Sequence, residues 1–252
     1  MTRYGRIETD AGPRYAEVQE PRVHVLSAAP WANPHRTGEV YALRDVKWLA
    51  PSEATKVVAI GQNYRKHAEE MGKVVPVEPL LFMKPPTALN AHLAPIVMPP
   101  ASDDVQHEAE LALVIGKQLT RATEAEAAEA IFAVTCFNDV TARDVQKREV
   151  QHTRAKSYDT FACCGPWMVR GLDFGDLEVR CRLNGVQKQL GRTSDMVHAP
   201  AKLVAFISNV MTLLPGDLVA TGTPSGVGPM QPGDVVEVDI EGIGVLENPV
   251  TR

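Results

Sequence analysis

The stretch Gln106-His107-Glu108-Ala109-Glu110-Leu111-Ala112-Leu113-Val114-Ile115-Gly116 runs two carboxylates straight into an apolar segment that reads as a β-strand. Side chains two apart on a strand share one face, about 6.6 Å apart along the chain. Glu108 and Glu110 therefore either stand before the sheet proper, in water or paired with arginine, or enter a buried strand together. In the second case each unpaired charge carries a desolvation cost of several kcal/mol and the two repel. A divalent cation between them removes both penalties.

Ala133 to Asp139 reads as another apolar strand ending in a carboxylate, followed by a short helix over 140–146. Asp139 is then either the helix N-cap, a common role for Asp, or a third ligand. An all-oxygen trio of Glu108, Glu110 and Asp139 suits a hard cation, Mg²⁺ or Mn²⁺, rather than zinc.

At 252 residues and 44% hydrophobic content the chain can bury one large core and carry a small appendage. The formal charge of −5, without any like-charge block, argues against a nucleic-acid partner. Neither a signal-type N-terminus nor an apolar run of about 18 residues occurs, so a cytoplasmic protein without membrane contact is expected. Cys136, Cys163, Cys164 and Cys181 lack zinc-type spacing and read as buried, reduced thiols.

Residues 1–52 differ in texture from the rest. Short β-prone pieces such as Arg22-Val23-His24-Val25-Leu26 alternate with turns, and Ala50-Pro51-Ser52 reads as a linker, giving a small β-rich N-terminal segment (1–52) and a main domain (53–252). In the main domain Leu177, Val179, Cys181 and Leu183 alternate with charged residues before Asn184-Gly185, a type I′ hairpin signal. Val236, Val238 and Ile240 alternate likewise before Gly242-Ile243-Gly244. Thr123 and Glu126 form a capping box ahead of a helix through Ala127 to Phe132, and Pro200 opens a helix with Leu203, Phe206, Ile207 and Val210 on one face.

His67 and Glu70 lie three apart after the strand Val57-Val58-Ala59-Ile60-Gly61. On a helix both side chains face one way, and the pair is either a surface contact or a general-base unit in which the carboxylate raises the imidazole's basicity. Lys84, before Pro85-Pro86, fits either a support behind the site or a surface lysine before a rigid turn. The glycines Gly222, Gly226 and Gly228 lack the Lys-Ser/Thr ending of a P-loop and any Rossmann fingerprint, which argues against nucleotide binding.

The blocks IGQNYRKHAEEMG, LLFMKPPTAL, HEAELALVIGK, FNDVTARDVQ, AKSYDTF, GPWMV and TGTPSGVGP stand in the order and spacing of the fumarylacetoacetate hydrolase family, which the chain resembles from Lys56 to Arg252. The resemblance implies an α+β, β-rich fold, a mixed β-roll with short flanking helices, assembled as a homodimer. It implies metal ligation by Glu108, Glu110 and Asp139, and catalysis by His67 and Glu70 on a lid hinged at Met71 to Pro76. Lys156 then stands near the metal and the substrate oxygen, and Arg143, Gln146 and Thr223 bind a carboxylate substrate.

Family members of this kind act on 2-oxo acids through enolates. The dyad favours hydrolysis of a C–C bond in a 2,4-dioxo acid of acylpyruvate or fumarylpyruvate type, releasing a pyruvate enolate. The alternative is a 5-carboxymethyl-2-hydroxymuconate-type isomerase/decarboxylase, or an oxaloacetate decarboxylase; the C-terminal Val245 to Val250 resembles the isomerase members. Ser225 and Cys163-Cys164 depart from the family's usual residues and are expected to shape the pocket. A catalytically idle scaffold would have lost one of the six acid, dyad or lysine residues, and none is missing.

Overall fold

The computed structural model describes residues 1–252 except 71 and 73–75. A twelve-stranded mixed sheet runs, from edge to edge, through Arg36–Ala42, Arg22–Leu26, Gly12–Gln19, Thr2–Thr9, Ala162–Arg170, Ile131–Asp139, Ala109–Ile115, Leu218–Ala220, Val57–Gly61 and Leu80–Lys84, with two short strands pairing off this path. The N-terminal hairpins thus extend the main sheet through Thr2–Thr9 against Ala162–Arg170. The stretch Ala50-Pro51-Ser52 is no loose linker: Pro51 and Ser52 are buried, and Ser52 Oγ donates to Gly216 O at 2.5 Å.

Ala109–Ile115 lies mid-sheet and is buried along its whole length, which is why it reads as a continuous apolar run. Leu111, Leu113 and Ile115 enter the larger core, shared with Val179, Val236, Val238 and Leu246 of a five-stranded second sheet. Ala112 and Val114 enter a smaller apolar layer with Phe137, and Phe82 packs against it. By the two-residue period Glu110 and Asp139 continue that second face at the adjoining ends of their paired strands, and Lys84 shares the face of Phe82 on its own strand.

The hairpin Glu178–Leu183 to Val186–Arg192 closes on Asn184 (φ 52°) and Gly185 (φ 77°), as a type I′ turn requires. The Thr123/Glu126 capping box is present, but its helix is Glu124–Ala130. Ile131 and Phe132 already belong to the next strand, whose ladder with Ala109–Ile115 outweighs helix extension. Helix Pro200–Val210 buries Leu203, Val204, Ala205, Ile207 and Ser208, while Phe206 is half-buried and Val210 exposed, so the buried stripe is rotated from the one the spacing predicts. Among the described residues no helix is long and apolar enough to cross a membrane.

Candidate active site and metal centre

Glu108 sits between the strands Val105–His107 and Ala109–Ile115 rather than inside one continuous strand. It is nevertheless 5% exposed, with Glu110 at 1% and Asp139 at 0%, so none of the three acids is solvated. Asp139 ends its strand and does not cap a helix: Thr141–Ala142 intervenes, and the helix is Arg143–Arg148 with Ala142 at its N-cap. Asp139 N–H donates to Glu108 O at 2.9 Å, which brings the two acids together. One carboxylate oxygen from each acid lies within 4.8 Å of the others.

Buried cations surround two of the three. Lys156 Nζ donates to Glu108 Oε2 at 3.0 Å and to Asp139 Oδ2 at 2.5 Å. Arg143 bonds Glu108 Oε1, and Lys84 bonds Asp139 Oδ1. Lys84 is fully buried and also donates to Val140 O at 3.1 Å, which excludes the surface reading and makes it a support for the acid trio. Glu108 is therefore both neighbour to a partner acid and paired with arginine. Burial opposes ionisation of Glu108, yet Lys156 and Arg143 outweigh it and hold the carboxyl below the usual carboxylate range.

Among the described residues no cation bonds Glu110 directly, and Lys156 only partly offsets what disfavours its ionised form. Glu110 accepts Gly222 N–H at 2.8 Å, and burial, with Asp139 and Glu108 as like-charged neighbours, pushes its carboxyl well above the usual range. Three buried carboxyls whose oxygens converge within 4.8 Å make a place for a cation, and the donor set is all oxygen. The residues fit Mg²⁺ or Mn²⁺, and Glu108, Glu110 and Asp139 would hold it.

A narrow cleft opens over this wall. It is lined by His67, Glu108, Glu110, Arg143, Gln146, Lys156 and Thr223, so seven of the residues singled out from sequence meet at one place. His67 and Glu70 lie on helix Arg65–Glu70, with His67 Nδ1 and Glu70 Oε2 3.2 Å apart. Glu70 does not line the cleft; its carboxylate accepts Gly226 N–H, with both oxygens at 3.1 Å. Most of the proposed hinge, Met71 to Pro76, lies outside the described residues.

Two of the carboxylate-binding expectations change in detail. Arg143 commits Nε to Gln106 Oε1 at 2.9 Å, one terminal nitrogen to Gln146 Oε1 at 2.5 Å and the other to Glu108. It neutralises Glu108 first, and only its remaining N–H groups face the cleft. Thr223 Oγ1 spends its proton on Ala109 O at 2.8 Å and accepts Gln189 Nε2 at 2.7 Å, so its hydroxyl has no proton left to donate into the cleft.

Sequence reasoning missed Gln62, Phe82 and His152 in the lining. Gln62 has φ 59°, a left-handed conformation with no sequence signal, and His152 meets Phe82 edge-on with ring centroids 5.5 Å apart. Neither Ser225 nor the cysteine pair lines the cleft. Cys163 and Cys164 are buried on opposite faces of Ala162–Arg170, and Ser225 borders an outer groove with Tyr64, Arg65 and Lys66. All four cysteines are buried and unpaired; burial pushes the Cys163 and Cys181 thiols up to about 12.

Residues 56–251 match the family profile described as fumarylacetoacetate (FAA) hydrolase, C-terminal, and residues 2–51 match one described as Rv2993c-like, N-terminal. Protein Rv2993c of Mycobacterium tuberculosis is 45% identical over 260 residues, covering 99% of this chain and 98% of that protein. Oxaloacetate tautomerase YisK of Bacillus subtilis is 37% identical over 246 residues, covering 90% of this chain and 81% of that protein. The crystal structure of 5-carboxymethyl-2-hydroxymuconate delta-isomerase from Mycobacterium smegmatis superposes with a TM-score of 0.93 at 45% identity, over 99% of each chain. With a profile spanning the acid trio, the His67–Glu70 pair and nearly all of the main domain, this chain belongs to the fumarylacetoacetate hydrolase family.

Proposed function

We propose that this protein is a metal-dependent enzyme that moves a proton at the carbon beside the oxo group of a small 2-oxo dicarboxylic acid, as a tautomerase, isomerase or decarboxylase. The observation that carries the reading is one cleft presenting His67, Lys156, Glu108 and Glu110 together, with Asp139 buried behind that wall and a carboxylate oxygen of it within 4.8 Å of theirs. Relatives named for tautomerisation of oxaloacetate and isomerisation of a hydroxymuconate favour this over the C–C hydrolysis expected first from the dyad. Mg²⁺ or Mn²⁺, bound by the trio, would supply Lewis-acid charge to the substrate's oxygens.

The chain's own groups do the remaining work. The Glu70 carboxylate accepts the Nδ1–H of His67, which leaves Nε2 as the basic nitrogen for taking a proton from the substrate carbon and returning it. Lys156, held as an ammonium by Asp139 and Glu108, places positive charge where an enolate oxygen develops. Ile60 and Phe82 exclude water from the reacting carbon. Arg143 and Gln146 stand where the substrate's far carboxylate is to be received.

Hydrolysis stays as the second reading because the same dyad can deprotonate a water. Both readings are separated by following enol absorbance and pyruvate release with oxaloacetate, acetylpyruvate and a hydroxymuconate-type diacid, with Mg²⁺ or Mn²⁺ and after chelation. Ion-dependent change on oxaloacetate or the muconate, with acetylpyruvate untouched, supports the proposal; turnover of acetylpyruvate alone overturns it. A homodimer is part of the same proposal, checked by light scattering.

A further inference from the structure

Strand Val186–Arg192 inverts the usual pattern of a half-buried strand. Its apolar Val186 and Leu190 are exposed, and Gln189 is the one residue of the seven that is buried, at 1% exposure. The ladder shifts register beside it, with Cys181 opposite Gln189 and Arg182 opposite Gln187, so Lys188 is an extra residue. A bulge of this kind re-aims the neighbouring side chain. Burying an amide in place of an available Val or Leu is unfavourable unless every polar atom is satisfied.

Every one is. Gln189 Oε1 accepts Ala109 N–H at 3.0 Å and lies 3.0 Å from His107 Nδ1. Its Nε2 donates to Thr223 Oγ1 at 2.7 Å and to Pro224 O at 2.8 Å. The amide's orientation is fixed, because Ala109 N–H needs an acceptor and Pro224 O needs a donor. Gln189 thus ties the strand between Glu108 and Glu110 to the loop 222–226, two segments more than a hundred residues apart in the chain.

That loop carries the Gly226 N–H that meets Glu70. Gly226 has φ +99°, and a Cβ there would stand 2.2 Å from Lys188 O, so the loop lies directly on the bulged hairpin. We infer that Gln189 is a positioning residue: it sets the 223–226 loop against Ala109 so that Gly226 N–H donates to the Glu70 carboxylate and holds the His67–Glu70 pair over the cleft. The inference rests on the dyad role proposed above. Gln189 touches no substrate and acts through Glu70.

The test uses the full-length protein with Mg²⁺ and two readouts. In Gln189→Met, which keeps the length of the side chain and removes its hydrogen bonds, amide hydrogen exchange should rise by about tenfold or more at Gly226 and rise also at Ala109, which loses its acceptor, while exchange across Leu111–Ile115 stays as in the parent. In a kinetic cycle on oxaloacetate, Gln189→Met should lower kcat in the parent and have little further effect in Glu70→Ala. Unchanged exchange at residue 226, a rise matched across Leu111–Ile115, or additive losses in the cycle would each overturn the inference. If Gln189→Met does not fold, Gln189→Asn, one methylene too short to reach both Ala109 N–H and Pro224 O, is read in the same way at residue 226. Failure of all turnover on oxaloacetate would count against the proposed function, whereas the exchange result decides the role of Gln189 by itself.

Discussion

The two walls of the cleft are held in opposite ways. The acid wall is built from side chains at the ends of central strands, where Glu108 and Asp139 share Lys156 and are flanked by Arg143 and Lys84, all at 5% exposure or less. The dyad wall stands on a six-residue helix, and the Glu70 side chain, at 37% exposure, reaches the rest of the protein through a single loop amide. A dication needs fixed oxygens at fixed separations, because each misplaced ligand leaves a buried charge uncompensated. A proton carrier needs the opposite, ties weak enough to let substrate pass and strong enough to aim one nitrogen. Charge pairing thus fixes the acid wall, whereas hydrogen bonding positions the His67–Glu70 pair.

The contrast is tested most severely by removing one member of each wall. His67→Ala should lower turnover by about 10²- to 10⁴-fold, the usual range for a general base, with Mn²⁺ affinity unchanged by calorimetric titration. Near-parent turnover would remove the dyad wall from the chemistry. Lys84→Met should do the reverse, costing about 3–5 kcal/mol of stability in denaturant unfolding because Asp139 loses a buried partner. A cost below about 1 kcal/mol would mean that the acid wall is not held by charge pairing.

A finer test separates the acids from one another. Since burial and two like-charged neighbours disfavour the ionised form of Glu110, Glu110→Gln should leave the ion-free fold within about 1 kcal/mol of the parent and weaken Mn²⁺ binding at least about tenfold. Glu108→Gln should weaken the ion too, but at a clear cost in stability, because Arg143 and Lys156 lose their counter-charge. Equal stability effects for the two variants would erase the distinction drawn between them.

The smallest expected effect lies outside both walls. Burial pushes the imidazoles of His92 and His107 below their ordinary value of 6.5. His92 Nδ1 accepts Glu247 N–H at 3.0 Å, and His107 Nε2 is buried without a partner, so the fold takes both rings neutral. The unfolded chain binds these protons first, so this stability is complete above about pH 6.5 and is lost as pH falls below it, by about 1.4 kcal/mol per unit of depression. The thermal midpoint should therefore fall between about pH 7 and about pH 5.5; a flat or rising midpoint would contradict the neutral rings.

What could be read without coordinates follows from short-range rules. The alternation before Asn184-Gly185, the Thr123/Glu126 box and the His67/Glu70 spacing each depend on neighbours within a few residues, so sequence alone placed the hairpin, the cap and the dyad's common face. The helix after the capping box was read too long because the pull of the sheet on Ile131 comes from a strand far along the chain. Gln189 and Lys84 carried no decisive local signal, since an amide or a lysine on an otherwise ordinary strand reads as a wet surface residue.

The sequence by itself determined that three acids, a histidine pair and a lysine occur at the spacings of one enzyme family, and that these acids sit beside apolar strands. Only the tertiary structure decided that Glu108 is balanced by Arg143 and Lys156 while Glu110 is not, because those cations arrive from elements separated in the chain. The physical reason is that secondary structure answers to neighbours in sequence, whereas the ionisation of a buried carboxyl answers to whatever charges the fold packs within a few ångströms of it.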